Sequence, residues 1–262
     1  MVTCQYCKHN RFVKIIIMNI IRHIINYICH LYYRSSSERY IKYLKSKGLS
    51  IGGGNFIDPK TSVIDVTRPS LISIGDNCYM NRNFTLLTHD WVTHVFIHAG
   101  LNFINSSGKI TIGNNVSFGQ NVMVLKGVTI GDNVFIGAGS IVTKNIPSNC
   151  IAVGCPCKAI MTLEEYYNKR LKKSRDEALE YARSIIERFG RQPVVEDFWE
   201  EFPLFVSGKD VDKYPTLPIK SQLGPIYEHY VKEHIAEFEN FEAFLKEAEN
   251  NGISNETKTI NN

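Results

Sequence analysis

A chain of 262 residues is long enough for one full domain with substantial extensions. Thirty lysines and arginines against 26 acidic residues leave a formal charge of +4, which gives no bulk electrostatic support to nucleic-acid binding. The seven cysteines are odd in number, and Cys29, Cys78, Cys150, Cys155 and Cys157 follow no framework spacing, so free thiols in a reducing compartment are expected.

Taken in chain order, residues 1–50 read as a helical segment. Cys4-x-x-Cys7 with His9 has the form of half a zinc site, but no second pair is placed to complete it, and no metal is expected. The most apolar stretch is Val13–Tyr33. Asn19, Arg22, His23, Asn26 and His30 interrupt it, so it is not a clean membrane span. Their spacing puts them on one helical stripe, with Ile15–Met18, Ile20, Ile21, Ile24, Ile25, Ile28 and Leu31 on the other faces. One reading is an amphipathic helix resting on a membrane, with Lys8, Arg11 and Lys14 near its start. The other is a helix packed on its own fold or on a sister subunit, and the wide apolar face favours it. No small-residue cleavage site follows, so no signal peptide is expected.

From Ile112 an apolar residue recurs every sixth position: Ile112, Phe118, Val124, Ile130, Ile136, Val142. A second series, Val116, Val122, Val128, Val134, Ser140, Ile146, runs four residues later. Gly113-Asn114-Asn115, Gly131-Asp132-Asn133 and Gly137-Ala138-Gly139 fill the turns, as expected where a corner needs positive φ. The same phase is present at Ile74, Met80 and Leu86, with Cys78 and Phe84 in the second series. A period of six matches neither a helix face nor simple strand alternation. It fits short strands and tight turns, three strands to a coil, with coils stacked in parallel so that each covers its neighbour's apolar face. Residues 51–160 are assigned to this stack. Phe56–Thr67 reads as an earlier coil whose phase breaks at Pro69 and Ser70. The period vanishes between His89 and Lys109 and resumes at Ile112, so Trp91–Gly108 reads as an extruded loop, a common carrier of function on repeat scaffolds.

Residues 161–249 read as a C-terminal helical extension. Leu163–Phe189 has helical spacing with Gly190 as a stop, Gln192–Leu223 is irregular and rich in proline and aromatics, and Pro225–Ala248 reads as a second helix. Residues 250–262 are polar and read as a disordered tail. Asn115-Val116-Ser117 and Asn255-Glu256-Thr257 match the glycosylation pattern, which means nothing without a secretory context.

Across Ile72–Met161, about a third of the chain, the sequence resembles the hexapeptide-repeat acyltransferases, in particular the maltose/galactoside O-acetyltransferase branch and its polysaccharide-modifying relatives. The residues that carry the resemblance are Ile74-Gly75-Asp76-Asn77, Thr88-His89-Asp90, Ile112–Val116, Gly127–Asn133, Ile136–Lys144, Ile146-Pro147 and Val153–Pro156. The resemblance implies a mainly-β fold, a left-handed parallel β-helix with N- and C-terminal α-helical extensions. It also implies a homotrimer, with acetyl-CoA in the groove between neighbouring β-helices.

A hydroxyl is a poor nucleophile at neutral pH and needs a base as it attacks a thioester. A histidine side chain is suited to that task. His89, at the mouth of the loop, matches the family's catalytic histidine; on its own it would read as a surface turn residue. Asp90, Asn81 and Asn83 are the candidates for orienting it. A backbone N–H near Gly119 is the candidate oxyanion donor, and Gly119 is also a candidate cofactor contact. Ala138, Thr143, Lys144 and Lys158 stand where the family's cofactor contacts stand, the two lysines as point charges for phosphates. Ser117 replaces a tryptophan common in the family. Trp91 and His94 in the loop are candidate acceptor contacts; the alternative is a loop packed on a neighbouring subunit. Asp58 and Asp65 lie near the family's acidic acceptor contacts, but the broken phase leaves them unaligned.

These residues imply transfer of an acetyl group from acetyl-CoA to a hydroxyl of a sugar or surface polysaccharide, in the cytoplasm or at the inner face of the membrane. Peripheral membrane contact through residues 13–33 is the alternative to packing of that helix on the fold or a sister subunit, and no nucleic-acid partner is expected. Competing readings are an acyltransferase on an amino sugar, serine or xenobiotic, and a non-catalytic β-helix scaffold.

Overall fold

A computed structural model describes residues 5–259, with side chains over residues 18–250 apart from Asn19. The Cys4-x-x-Cys7 pair with His9, the basic residues Lys8, Arg11 and Lys14, and the pattern at Asn255 lie outside the described side chains. The chain divides into two compact units, residues 1–166 and 167–262.

The first unit opens with α1 (Gln5–Tyr33) and α2 (Ser37–Lys47). Ser36 caps α2 by accepting a hydrogen bond from the Arg39 N–H, and Gly48, at φ 107°, ends it. Strands β1 (Ser50–Ile51), β2 (Phe56–Ile57) and β3 (Val63–Ile64) make the first coil. β4 (Ile72–Ile74), β5 (Tyr79–Met80) and β6 (Thr85–Leu86) make the second. After α3 (Val92–His98) come β7 (Ile110–Ile112), β8 (Val116–Phe118) and β9 (Met123–Val124). The last full coil is β10 (Thr129–Ile130), β11 (Val134–Ile136) and β12 (Ile141–Val142), followed by β13 (Cys150–Val153) and β14 (Lys158–Thr162). The strands form three sheets of order β1-β4-β7-β10, β2-β5-β8-β11-β13-β14 and β3-β6-β9-β12. Every pairing is parallel except β13 with β14. The fold is a left-handed parallel β-helix.

Thr111 pairs with Thr129, eighteen residues on, which is three hexapeptides to a coil. Ile72 pairs with Ile110, thirty-eight residues on, so twenty residues leave the coil between β6 and β7. The first coil is longer than the repeat, with Phe56 opposite Tyr79, twenty-three residues away. The sixth-position residues point inward and form one core: Ile74, Met80, Leu86, Ile112, Phe118, Val124, Ile130, Ile136 and Val142 are all buried. Asparagines turn the corners at positive φ (Asn83 58°, Asn115 54°, Asn121 60°, Asn133 56°, Asn149 57°), a region that asparagine tolerates better than most residues. Their amides stack coil on coil: Asn115 donates to Asn133, and Asn133 donates to Asn149, each at 2.9 Å.

In the second unit α4 (Leu163–Phe189), α5 (Ile219–Leu223), α6 (Tyr227–Glu233) and α7 (Phe241–Thr259) surround an aromatic core of Phe198, Phe205 and Phe244. α4 covers the span its spacing predicts. The single helix expected over Pro225–Ala248 is instead broken at His234, whose ψ of 129° is extended. Tertiary hydrogen bonds replace the helical ladder there: His234 Nε2 meets Pro203 O at 2.7 Å, and the Phe238 N–H donates to Leu204 O. Beyond Asn250, where composition predicts disorder, the backbone continues α7 to Thr259, as a helix already nucleated propagates at little cost. Residues 260–262 lie outside the described residues.

Candidate functional site

His89 leaves the coil just after β6 and pairs with Ser107 in an antiparallel bridge, so the loop departs and returns as a two-residue ribbon. The Gly108 N–H donates to Thr88 O at 2.9 Å. Lys126, from the next coil, meets both the Asp90 carboxylate and the Ser106 hydroxyl and staples the base of the loop. Arg68 adds a bond to Asn105 at 3.1 Å. The loop is not wholly irregular, because α3 forms within it.

The group that faces the His89 ring is Asp65, from the end of β3 one coil below. His89 Nδ1 lies 2.7 Å from Asp65 Oδ2. The same oxygen accepts from the Thr88 N–H at 3.1 Å and from the Thr88 hydroxyl. Oδ1 accepts from the Thr67 N–H at 2.9 Å and the Thr67 hydroxyl at 2.6 Å. The Asp65 side chain is 4% exposed and that of His89 20%. Burial alone would raise the Asp65 carboxyl, but the hydrogen bonds from Thr67, Thr88 and His89 outweigh it and hold the group well below the usual carboxylate range. An ionised carboxylate only accepts, so the His89 proton is assigned to Nδ1. The neutral ring then presents Nε2 as an unprotonated acceptor.

None of the three expected orienting groups does this. Asp90 is held by Lys126, which keeps its carboxyl below the usual range. Asn81 accepts from the Arg82 N–H, and Asn83 donates to Asn121 in the corner ladder. Position decides the matter: the neighbour of a β-helix side chain is one coil away, and Asp65 follows Ile64, which pairs with Leu86.

The predicted acyl-donor contacts fall on different edges. Carrying the β6–β9–β12 register past the strand ends aligns Thr88, Lys126 and Lys144 along one edge, with Thr143 beside them and both Thr143 and Lys144 exposed. Gly119 and Ala138 stack on another edge, between β8 and β9 and between β11 and β12; a Cβ on Gly119 would lie 2.6 Å from the Ala138 nitrogen. Lys158 is exposed at the start of β14. Ser117 is half-buried in β8, opposite Phe135. Trp91 is 74% exposed just before α3, and the His94 ring packs on His98 at 4.4 Å. No group of three or more metal-binding side chains occurs among the described residues.

Residues 109–144 match the family model for the bacterial transferase hexapeptide, six repeats. Over these coils the chain is similar to the hexapeptide-repeat transferases. The chain is 46% identical over 106 residues to the galactoside O-acetyltransferase of Escherichia coli K12, a match covering 38% of this chain and 51% of that protein. It is 40% identical over 108 residues to protein CapG of Staphylococcus aureus, covering 41% and 62%. The chain thus spans little more than half the length of these curated relatives. Among solved structures, a galactoside acetyltransferase in complex with coenzyme A aligns with a TM-score of 0.41 at 28% identity, covering 62% of this chain and 85% of that one.

Proposed function

We propose that the protein is a coenzyme A-dependent O-acetyltransferase that moves an acetyl group from acetyl-CoA to a hydroxyl of a sugar or surface polysaccharide. The observation that carries this reading is the Asp65–His89 pair at the mouth of the extruded loop. Nε2 of His89 takes the proton of the acceptor hydroxyl as its oxygen attacks the thioester carbonyl. Asp65 keeps the other ring nitrogen protonated and balances the imidazolium charge that forms. Collapse of the tetrahedral intermediate breaks the C–S bond, and the imidazolium returns its proton to the departing thiolate. The Gly119 N–H is not the oxyanion donor within its own chain, because it already donates to Ile136 O at 2.8 Å.

The acting form is a homotrimer in this reading. The His89–Lys144 edge and the Gly119–Ala138 edge lie on opposite sides of the β3-β6-β9-β12 sheet, so a groove containing both forms only between two β-helices. Acetyl-CoA lies in that groove with Thr143, Lys144 and Lys158 toward its phosphates, and Trp91 and His94 toward the acceptor. Residues 51–160 are the transfer domain, and the work is done in the cytoplasm, at the inner membrane face. No helix of the described residues is long and apolar enough to cross a membrane. The reading is tested by thiol release from acetyl-CoA over a panel of sugars and oligosaccharides. Acceptor-dependent release supports it; no release with any acceptor, together with no coenzyme A binding, refutes it.

A further inference from the structure

α1 is turned the opposite way from an ordinary amphipathic helix. At about 100° per residue, Arg22, His23, Asn26 and His30 share one stripe, and Ile20, Ile21, Ile24, Ile25, Ile28 and Leu31 fill an opposing arc of roughly 140°. A helix packed on its own domain turns its apolar arc inward. Here the C-terminal part of the polar stripe is the side nearest the fold: Asn26 and His30, themselves still exposed, line with Tyr33 a cavity of about 430 Å³ against Tyr40 and Tyr43 of α2. The Tyr33 and Tyr43 rings meet at 4.9 Å. The six aliphatic side chains of the arc are all about half exposed, and no residue from Ile20 to Leu31 is buried. A continuous apolar strip of this kind marks a surface that meets something apolar, and packing on its own fold, the reading the wide apolar face favours, does not cover it.

Charge identifies the partner. Gln5–Tyr33 contains no aspartate or glutamate. Residues 1–48 hold nine lysines and arginines against the single acid Glu38, in a chain whose whole formal charge is +4. A second copy of this segment would bring the same positive charge to the contact, whereas an anionic lipid surface complements it. We propose that α1 docks the protein on anionic phospholipid. The helix lies in the plane of the interface, its apolar arc at the acyl boundary and its polar stripe turned back to the fold.

The test is flotation of the full chain with vesicles of phosphatidylcholine alone and of phosphatidylcholine with phosphatidylglycerol, with solution mass and melting temperature measured alongside. The expected result is binding to the anionic vesicles that weakens as salt rises. The triple variant Ile21→Asp, Ile24→Asp, Ile28→Asp abolishes it at unchanged melting temperature, because all three side chains are exposed. Equal binding to both vesicle types overturns the proposal. So does no binding to either, and if the triple variant then also lowers the solution mass, a second copy of the chain is the occupant.

Discussion

Asp65→Asn removes one charge and almost no volume, so it isolates what the carboxylate does. Five donors converge on Asp65: the N–H and hydroxyl of Thr67, the N–H and hydroxyl of Thr88, and His89 Nδ1. An amide offers one acceptor oxygen. With that oxygen toward His89, the amide nitrogen faces the Thr67 N–H and leaves a buried donor unpaired, at about 1–3 kcal/mol. The ring's bond also loses its charge assistance, about another 1 kcal/mol. With the amide reversed, its nitrogen faces Nδ1 and drives the His89 proton to Nε2, which removes the base. The expected loss in kcat is roughly 10²–10⁴-fold, the range for a misoriented or wrongly protonated histidine base. Coenzyme A affinity should be nearly unchanged. Single-turnover thiol release, calorimetry with coenzyme A and a melting curve separate these effects, and a kcat within about threefold of wild type would refute the reasoning. The variant also changes the acid limb of stability. Asp65 is held below its unfolded value of about 3.9. Its contribution is therefore fully present above that pH and is lost as pH falls toward the folded value. Asp65→Asn should flatten that part of the stability–pH curve, as followed by urea melts.

Three further outcomes follow from the coils and the thiols. Asn133→Ala loses two ladder bonds and puts at φ 56° a residue that tolerates that region less well than asparagine, so it should cost about 2–3 kcal/mol, while Asn133→Gly, free of that strain, should cost about 1–2 kcal/mol less than Ala in urea melts. Gly119→Ala drives a methyl to 2.6 Å from a backbone nitrogen in the next coil and should destabilise by about 1–3 kcal/mol, seen as a lower melting temperature. Among the described cysteines, Cys29 and Cys155 are exposed, whereas Cys78, Cys150 and Cys157 are buried with thiols pushed up by burial. Mass spectrometry after brief alkylation of the folded protein should find the first two modified and the other three protected.

The stack was legible because each coil must present apolar residues inward at fixed steps, and nothing in Ile112–Val142 interrupts that step; beyond it the register shortens to sixteen, with Ile146 paired to Ile130. The loop was legible for the complementary reason, since the twenty residues outside the coil have no inward face to keep. Asp65 was not legible as the partner of His89. Its coil spans twenty-two residues from Val63 to Thr85 instead of eighteen, so counting in sixes loses the register where it is needed. Nearness along the chain pointed to Asn81, Asn83 and Asp90, but a β-helix brings together residues a full coil apart. The polar stripe of α1 could be read from spacing, yet spacing says nothing about which face meets the fold. The break at His234 is set by carbonyl partners some thirty residues away, which no local pattern records.

The central claim is that His89, held by Asp65, is the base for acyl transfer. Its most direct test is mass spectrometric detection of the acetylated acceptor from wild type and His89→Ala, at matched coenzyme A occupancy. The account predicts acceptor acetylation by wild type and a loss of roughly 10²–10⁴-fold in the variant with coenzyme A binding retained. Acetylation by the variant at the wild-type rate would contradict it.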